Sequence, residues 1–130
     1  MSEAFDLIYS YTRAQAIDNG VLVDATAMAK EAGIRYPVAI TDRLYHELII
    51  PPLELAKEGQ SIEGRLWDTL MVLRYAAAGA SGNLVYFHVS FQTSRTASGE
   101  PVHKTVRLKA LCHGGDQGEP VITIMFPEED

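Results

Sequence analysis

The repeat of the side-chain pattern changes near Asn83, and this change constrains the fold more than any other feature of the chain. Before it, Ser61 to Ala78 carries apolar residues at the spacing of one helix face. After it, Leu84 to Gln92 alternates apolar and polar residues with a repeat of two, as in a half-buried strand. The sequence therefore predicts one long amphipathic helix followed by strands.

The long helix is predicted to bury one stripe and expose the opposite side. The buried stripe comprises Ile62, Leu66, Leu70, Leu73 and Ala77, widened by Trp67 and Met71. Arg65, Asp68 and Thr69 lie on the other side and are expected to be in contact with water.

Two further segments continue the alternating pattern. They are Val102 to Leu111 and Val121 to Phe126, and glycine-containing loops precede both. We therefore expect an α+β domain spanning residues 1–130, with a helical N-terminal half and one long amphipathic helix packed on a C-terminal three-stranded antiparallel β-meander.

The N-terminal half has clear helix signals. Thr12 and Gln15 form a capping box, and Thr41-Asp42 opens a later helix. Val21–Val23 and Tyr36–Ile40 could extend the sheet as edge strands. Exposed strand edges raise the alternative of a homodimer by strand pairing, against which Lys104 and Lys109 could protect.

Composition excludes several classes of protein. The chain is 47% hydrophobic and 22% charged, with one cysteine and no apolar run long enough for a membrane span. We expect a cytoplasmic protein without disulfides or contact with a membrane. The histidine spacing and the absence of a phosphate-binding glycine motif predict neither a metal nor a cofactor.

The charge balance concerns partners. The net charge is −6, and the chain ends in Glu128, Glu129 and Asp130. An acidic chain without a Lys/Arg cluster is repelled by nucleic acid, so direct binding is not expected. The acidity is either an ordinary solvated surface or a face that docks on a basic protein.

The stretch from Cys112 to Pro120 has two interpretations. Cys112, His113 and Asp116 are residue types of a nucleophilic site, whereas the glycines suit a turn between strands. Since neighbours on a strand point to opposite faces, His113 is poorly placed to deprotonate Cys112, and the turn is favoured.

A second candidate site lies near the N-terminus. Tyr9 and Tyr11 could face the same side of an extended segment, with Arg13 nearby as a guanidinium donor. Tyrosine and arginine are enriched in interface hot spots. The alternative is structural, with Tyr11 packed over the helix start and Arg13 in solvent.

Four blocks of the sequence carry a family resemblance. They are IYSYTRAQAIDNGVLVD, AKEAGIRYPVAIT, EGRLWDTLMVLRYA and LKALCHGGDQGEPVITIMFPEED. Together they resemble a family of small proteins from bacterial plasmids, integrated elements and phages that is known only as a domain of unknown function. The resemblance implies no catalytic residues and suggests an accessory role in a mobile element. The chain departs from the family pattern at Cys112 to Gly115, where a Cys-Gly-Pro-Gly-like turn is expected.

Two functional hypotheses follow. The first is a non-enzymatic protein that binds a protein partner, such as a host defence or nucleic-acid-handling protein that it inhibits. The second is a small enzyme with a site near Cys112, His113 and Asp116 or near the N-terminal tyrosines.

Overall fold

A computed structural model describes residues 12–129, which form five helices and a five-stranded mixed sheet. The helices are α1 (Arg13–Asp18), α2 (Thr26–Glu31), α3 (Asp42–Leu44, continued by a π-helical turn at Tyr45–Ile49), α4 (Leu53–Ala56) and α5 (Ile62–Ala78). The strands are β1 (Leu22–Asp24), β2 (Val38–Thr41), β3 (Leu84–Arg95), β4 (Pro101–Gly114) and β5 (Pro120–Met125).

The strand order corrects the predicted architecture. The order is β1-β2-β5-β4-β3, with β2 parallel to β5 and all other neighbours antiparallel. The α+β class is confirmed, but the three-stranded antiparallel meander below a helical N-terminal half is wrong. The N-terminal half contributes two strands, and the segment predicted as an edge at Tyr36–Ile40 supplies the interior strand β2.

Burial explains why β2 lies inside the sheet. Val38, Ala39 and Ile40 are each 0% exposed, so consecutive residues are covered on both faces. A strand that is apolar on both faces is typical of the interior of a sheet with parallel pairing. The short apolar run therefore pairs with β5 on one side and β1 on the other.

The long helix is confirmed and packs on the sheet. It begins after Ser61, whose side chain accepts a hydrogen bond from the Gly64 amide, and ends at Gly79. Leu66, Leu70 and Leu73 are buried in the common core, which includes residues of β2, β3, β4 and β5. The helix fixes which sheet face is covered.

The prediction for the opposite side of α5 is right for Asp68 only. Asp68 is exposed, whereas Arg65 and Thr69 are only 6% and 0% exposed. The Arg65 guanidinium donates to the Leu48 carbonyl at 2.9 Å, to the Gln92 carbonyl and to the Gln60 side chain at 3.0 Å. Arg65 is buried because it satisfies these acceptors, which hydropathy patterns do not register.

Trp67 also departs from the prediction. It was expected to widen the buried stripe, but its side is turned outward and it remains 38% exposed. Tyr75, two turns further on, is 72% exposed. The outward side of α5 therefore carries two aromatic residues among charged ones such as Asp68 and Arg74.

The β3–β4 hairpin contains one irregularity. The register shifts between Gln92 and Ser94, which places an extra residue in β3. On the side of this irregularity away from the hairpin loop, His88 lies opposite Arg107 and His103 lies opposite Gln92, so the two histidines do not face each other. Within residues 12–129, every helix is too short or too polar to cross a membrane.

Candidate binding site

The structure brings the two sequence-derived candidate sites together. The capping box at Thr12 and Gln15 is confirmed and starts α1. The backbone amides of Arg13 and Ala14 donate to the two carboxylate oxygens of Asp116, at 2.7 and 3.0 Å. Asp116 therefore binds the N-terminus of α1 across the molecule, where a carboxylate is favoured by the helix dipole.

The Arg13 side chain continues this contact into the sheet. Its guanidinium donates to the Thr123 hydroxyl at 2.8 Å and to the Ile122 carbonyl at 2.7 Å. The Thr123 hydroxyl also lies 2.8 Å from Nε2 of His113. We call Arg13, His113, Asp116 and Thr123 the Arg13 cluster.

Electrostatics in the Arg13 cluster follow from these contacts. Burial lowers the pKa of the Arg13 guanidinium, while Asp24, Asp116 and Glu119 oppose that shift. The pKa of Asp116 is lowered mainly by the backbone amides of Arg13 and Ala14. Arginine keeps its charge under any such shift, and Asp116 attracts that charge at longer range. The hydrogen bonds of Asp116 to the backbone of α1 and of the guanidinium to β5 together hold the β4–β5 turn on α1.

Cys112 is not part of this cluster. It pairs with Ile122 in the sheet, and its amide donates to the Asn83 carbonyl at 2.8 Å. Its neighbour His113 contacts Thr123 on the other face of the strand. The His113 imidazole therefore does not lie beside the thiol of the half-buried Cys112.

The acidic C-terminal residues are held by the chain itself. Glu128 pairs with Arg43 at 2.7 Å, and its own backbone amide and then Arg43 lower its pKa. Glu129 accepts from the Thr41 hydroxyl and the Phe126 amide, both at 2.8 Å. These carboxylates anchor the segment after β5 to the start of α3. Tyr9, Tyr11 and Asp130 lie outside the described residues.

Another surface of the sheet is open and was not identified from the sequence. On the face of β3 and β4 opposite α5 lie Leu84, Tyr86, His88, Arg107, Lys109 and Leu111, which we call the β3–β4 outer face. Leu84 and Tyr86 are 41% and 43% exposed, and His88 and Arg107 are also exposed. The Arg107 guanidinium stacks 4.1 Å from the Tyr86 ring centroid.

This face is positive although the chain is acidic. Arg107 and Lys109 are adjacent on its β4 side, and none of its six residues is an aspartate or glutamate. Glu128 lies beyond the face, where the charge of Lys109 contributes to the lowered pKa of its carboxyl. The stacked Tyr86 holds the guanidinium in place through a cation–π contact. The signal was present in the alternation of both strands, but the two strands had to be paired in the correct register before it became one surface.

Other candidate sites are weaker. A cavity of about 330 Å³ is lined by Glu54, Leu55, Glu58 and residues 93–95, and none of the Arg13 cluster reaches it. Among residues 12–129, no group of three or more His, Cys, Asp or Glu side chains is placed to hold a metal ion.

The fold and these sites define a small α+β protein with an open sheet face. The sequence matches the family of unknown function DUF6573 over residues 1–130, and the chain belongs to that family. No curated protein and no solved structure matches the chain.

Proposed function

We propose that this protein is a binding protein that recognises an acidic segment of a protein partner through the β3–β4 outer face. The observation that carries the proposal is the exposed Tyr86–Arg107 stack, flanked by His88 and Lys109, on a face whose own six residues include no carboxylate. Tyrosine and arginine are the residue types that contribute most in interface hot spots. A positive face complements a negative partner and speeds the encounter.

The internal contacts of the acidic residues favour this face over the acidic tail. Glu128 and Glu129 already accept hydrogen bonds from Arg43, Thr41 and Phe126. A basic partner would have to compete with Arg43 for the charge of Glu128, whereas Tyr86 and Arg107 are both exposed.

A protein segment fits this face better than a nucleic acid strand. Surfaces that bind single strands offer successive aromatic rings for base stacking, whereas Tyr86 is the one phenyl or indole ring of the β3–β4 outer face, beside the smaller imidazole of His88. Arg107 already covers one side of the Tyr86 ring.

We propose that this binding serves an accessory role in a plasmid or phage. In that role the protein would inhibit a host protein. Its support is the sequence resemblance, and the binding proposal does not depend on it.

The test measures fluorescence anisotropy of a labelled peptide in which glutamate alternates with leucine, titrated with the full chain. The double variant R107E/K109E should weaken binding by at least about tenfold, because two attractive charges become repulsive. The matched control K30E/K57E carries the same change of net charge on exposed residues outside the face and should bind the peptide like the wild type.

Three outcomes would contradict the proposal. One is equal affinity for R107E/K109E and K30E/K57E, which would mean that net charge rather than the face controls binding. Another is failure of the wild type to bind the peptide at low salt. The third is tighter binding of a labelled oligothymidine of matching length that R107E/K109E abolishes, which would assign the face to nucleic acid.

A further inference from the structure

The two edge strands of the five-stranded sheet differ in length and in charge. β1 has three residues and ends in Asp24, whereas β3 has twelve. From Leu84 to Ser94, β3 contains no lysine, arginine, aspartate, glutamate or proline. Native edge strands are usually short, charged or interrupted by proline, because an open edge pairs with other extended chains. β3 therefore offers an edge that another extended segment can join.

The hairpin register shows which backbone groups of β3 face outward. The Asn83 carbonyl accepts from the amide of Cys112, directly opposite it, at 2.8 Å. Bonded and non-bonded pairs alternate in an antiparallel ladder, so the odd-numbered residues of β3 up to Phe91 bond to β4. The even-numbered residues direct their amides and carbonyls away from β4. The Gln92 carbonyl agrees, because it accepts from the guanidinium of Arg65 on α5.

Four successive even-numbered residues leave their backbone groups open. Among residues 12–129, no hydrogen-bond partner exists for the outward amides and carbonyls of Leu84, Tyr86, His88 and Ser90. This part of the edge spans roughly 20 Å. It ends where Arg65 occupies the Gln92 carbonyl and the extra residue of β3 interrupts the regular pairing. The open length suits one extended segment of about seven residues.

The side of α5 next to this edge is apolar. Arg65 reaches the Gln92 carbonyl, so the side of α5 that carries Arg65 faces the β3 edge. Val72 and Ala76 follow seven and eleven residues later, which places them on the same side of the helix. Both are half-buried and pack against the core. A strand added to β3 would therefore place alternate side chains against apolar residues of α5.

We propose that the acidic partner segment binds as an antiparallel sixth strand at the β3 edge, opposite Leu84 to Ser90. This inference rests on the proposed function and specifies how the β3–β4 outer face holds its partner. Partner residues opposite Tyr86 and His88 have their side chains on the outer face and bond to β3 through their own amides and carbonyls. The partner residues between them have their side chains on the α5 side and their amides directed away from β3.

Charge complementarity favours an acidic strand as the occupant. The Arg107 guanidinium lies 4.1 Å from the Tyr86 ring centroid, so its charge is held over β3, next to the edge. Carboxylates on the outer side of the added strand meet this charge, while apolar residues on the other side meet α5. A second copy paired through β3 would instead bring two such positive faces side by side, where like charges repel.

The test adds single backbone N-methyl groups to the glutamate–leucine peptide of the anisotropy assay. Glutamates occupy the outer side of the added strand, so their amides donate to β3. N-methylation of a central glutamate should weaken binding by at least about tenfold, because the methyl group removes a donor and keeps the strands apart. N-methylation of the neighbouring leucine, whose amide points away from β3, is the matched control and should leave the affinity unchanged.

A pair of protein variants tests the same edge from the other side. H88P and H88A both lack the imidazole, but only H88P also lacks the outward amide. H88P should therefore bind the unmodified peptide at least about tenfold more weakly than H88A. Proline is tolerated in an edge strand where the amide faces solvent, and circular dichroism checks that H88P is folded. If H88P does not fold, the N-methylated peptides still decide, because they leave the chain unchanged.

The outcomes separate this inference from the proposed function. If both N-methylated peptides bind like the unmodified one and R107E/K109E still weakens binding, strand addition is wrong but the proposed function stands. If only the N-methylated leucine peptide loses affinity, the antiparallel direction is wrong, because a parallel strand bonds through the other set of amides. If sedimentation velocity shows a dimer that H88P dissociates and the peptide does not, the edge belongs to a second copy. Failure of the unmodified peptide to bind refutes the proposed function itself.

Discussion

Replacement of Arg65 by methionine should destabilise the protein strongly, although the sequence pattern assigns Arg65 to the exposed side of α5. The guanidinium contacts the carbonyls of Leu48 and Gln92 and the side chain of Gln60, and the residue is 6% exposed. It therefore joins three separate segments, namely the π-helical turn, the end of β3 and the approach to α5.

The size of the effect follows from the acceptors that R65M leaves behind. Two main-chain carbonyls lose a charged donor, and a buried acceptor without a partner costs about 1–3 kcal/mol. Methionine keeps much of the apolar contact with Phe91, over whose ring the guanidinium now lies at 5.4 Å. We expect a loss of about 3 kcal/mol in the free energy of unfolding, or about 10 °C in melting temperature for a chain of this length.

The assay is urea unfolding followed by circular dichroism, with all variants at the same protein concentration. R65K should be intermediate, because an ammonium group can donate to these acceptors but cannot match the planar geometry of guanidinium. The control R35M alters an exposed arginine and should change stability by less than about 0.5 kcal/mol. If R65M is no less stable than R35M, the argument that Arg65 supports the core through its acceptors is wrong.

Three further predictions concern the β4–β5 turn. D116N should be less stable than the wild type at pH 7, because Asp116 accepts hydrogen bonds from two amides that lower its pKa. That stabilisation is present above the pKa of the unfolded state and is lost as pH falls through the pKa of the folded state, so the urea unfolding curves of D116N and the wild type should converge in acid. The control E100Q should match the wild type at every pH. G118A should lower the free energy of unfolding by about 1–2 kcal/mol in thermal unfolding, because φ of Gly118 is +80°. The control G114A places a Cβ where nothing lies closer than 3.8 Å, so it should cost less than about 0.5 kcal/mol. Equal losses for the two variants would refute the assignment of backbone strain to Gly118. Iodoacetamide should modify Cys112 no faster than an ordinary cysteine, because the structure places no imidazole of His113 beside it; a rate far above that of a free thiol would revive the enzyme hypothesis.

The parts of the fold that could be predicted from sequence are those governed by local repeats. The change near Asn83 correctly separates α5 from the strands, and the capping residues Thr12, Thr41 and Ser61 mark three helix starts because each acts within four residues. The parallel pairing of β2 with β5 could not be predicted, because it joins residues as distant in sequence as Val38 and Ile122 and no tight turn links the two strands.

The same distinction applies to the candidate site. Arg13 and Asp116 were both selected from sequence, but as members of different sites, since 103 residues separate them. The β3–β4 outer face was missed because the extra residue between Gln92 and Ser94 shifts the hairpin by one position. A buried arginine such as Arg65 cannot be predicted from hydropathy, because a hydropathy scale scores its charge and not the hydrogen-bond acceptors that it contacts in the fold.

The position of β5 has a consequence for how the chain reaches this state. β5 is the last of the five strands to be synthesised but the third in the sheet, so the β1–β2 pair and the β3–β4 hairpin share no strand neighbour until it inserts between them. Until β5 pairs, β2 and β4 each keep an unpaired edge. Such non-local pairing favours slow, cooperative folding, and the unpaired edges make folding intermediates prone to aggregation. Removal of β5 would thus leave the β1–β2 pair and the β3–β4 hairpin as two separate pieces of sheet rather than one smaller stable sheet.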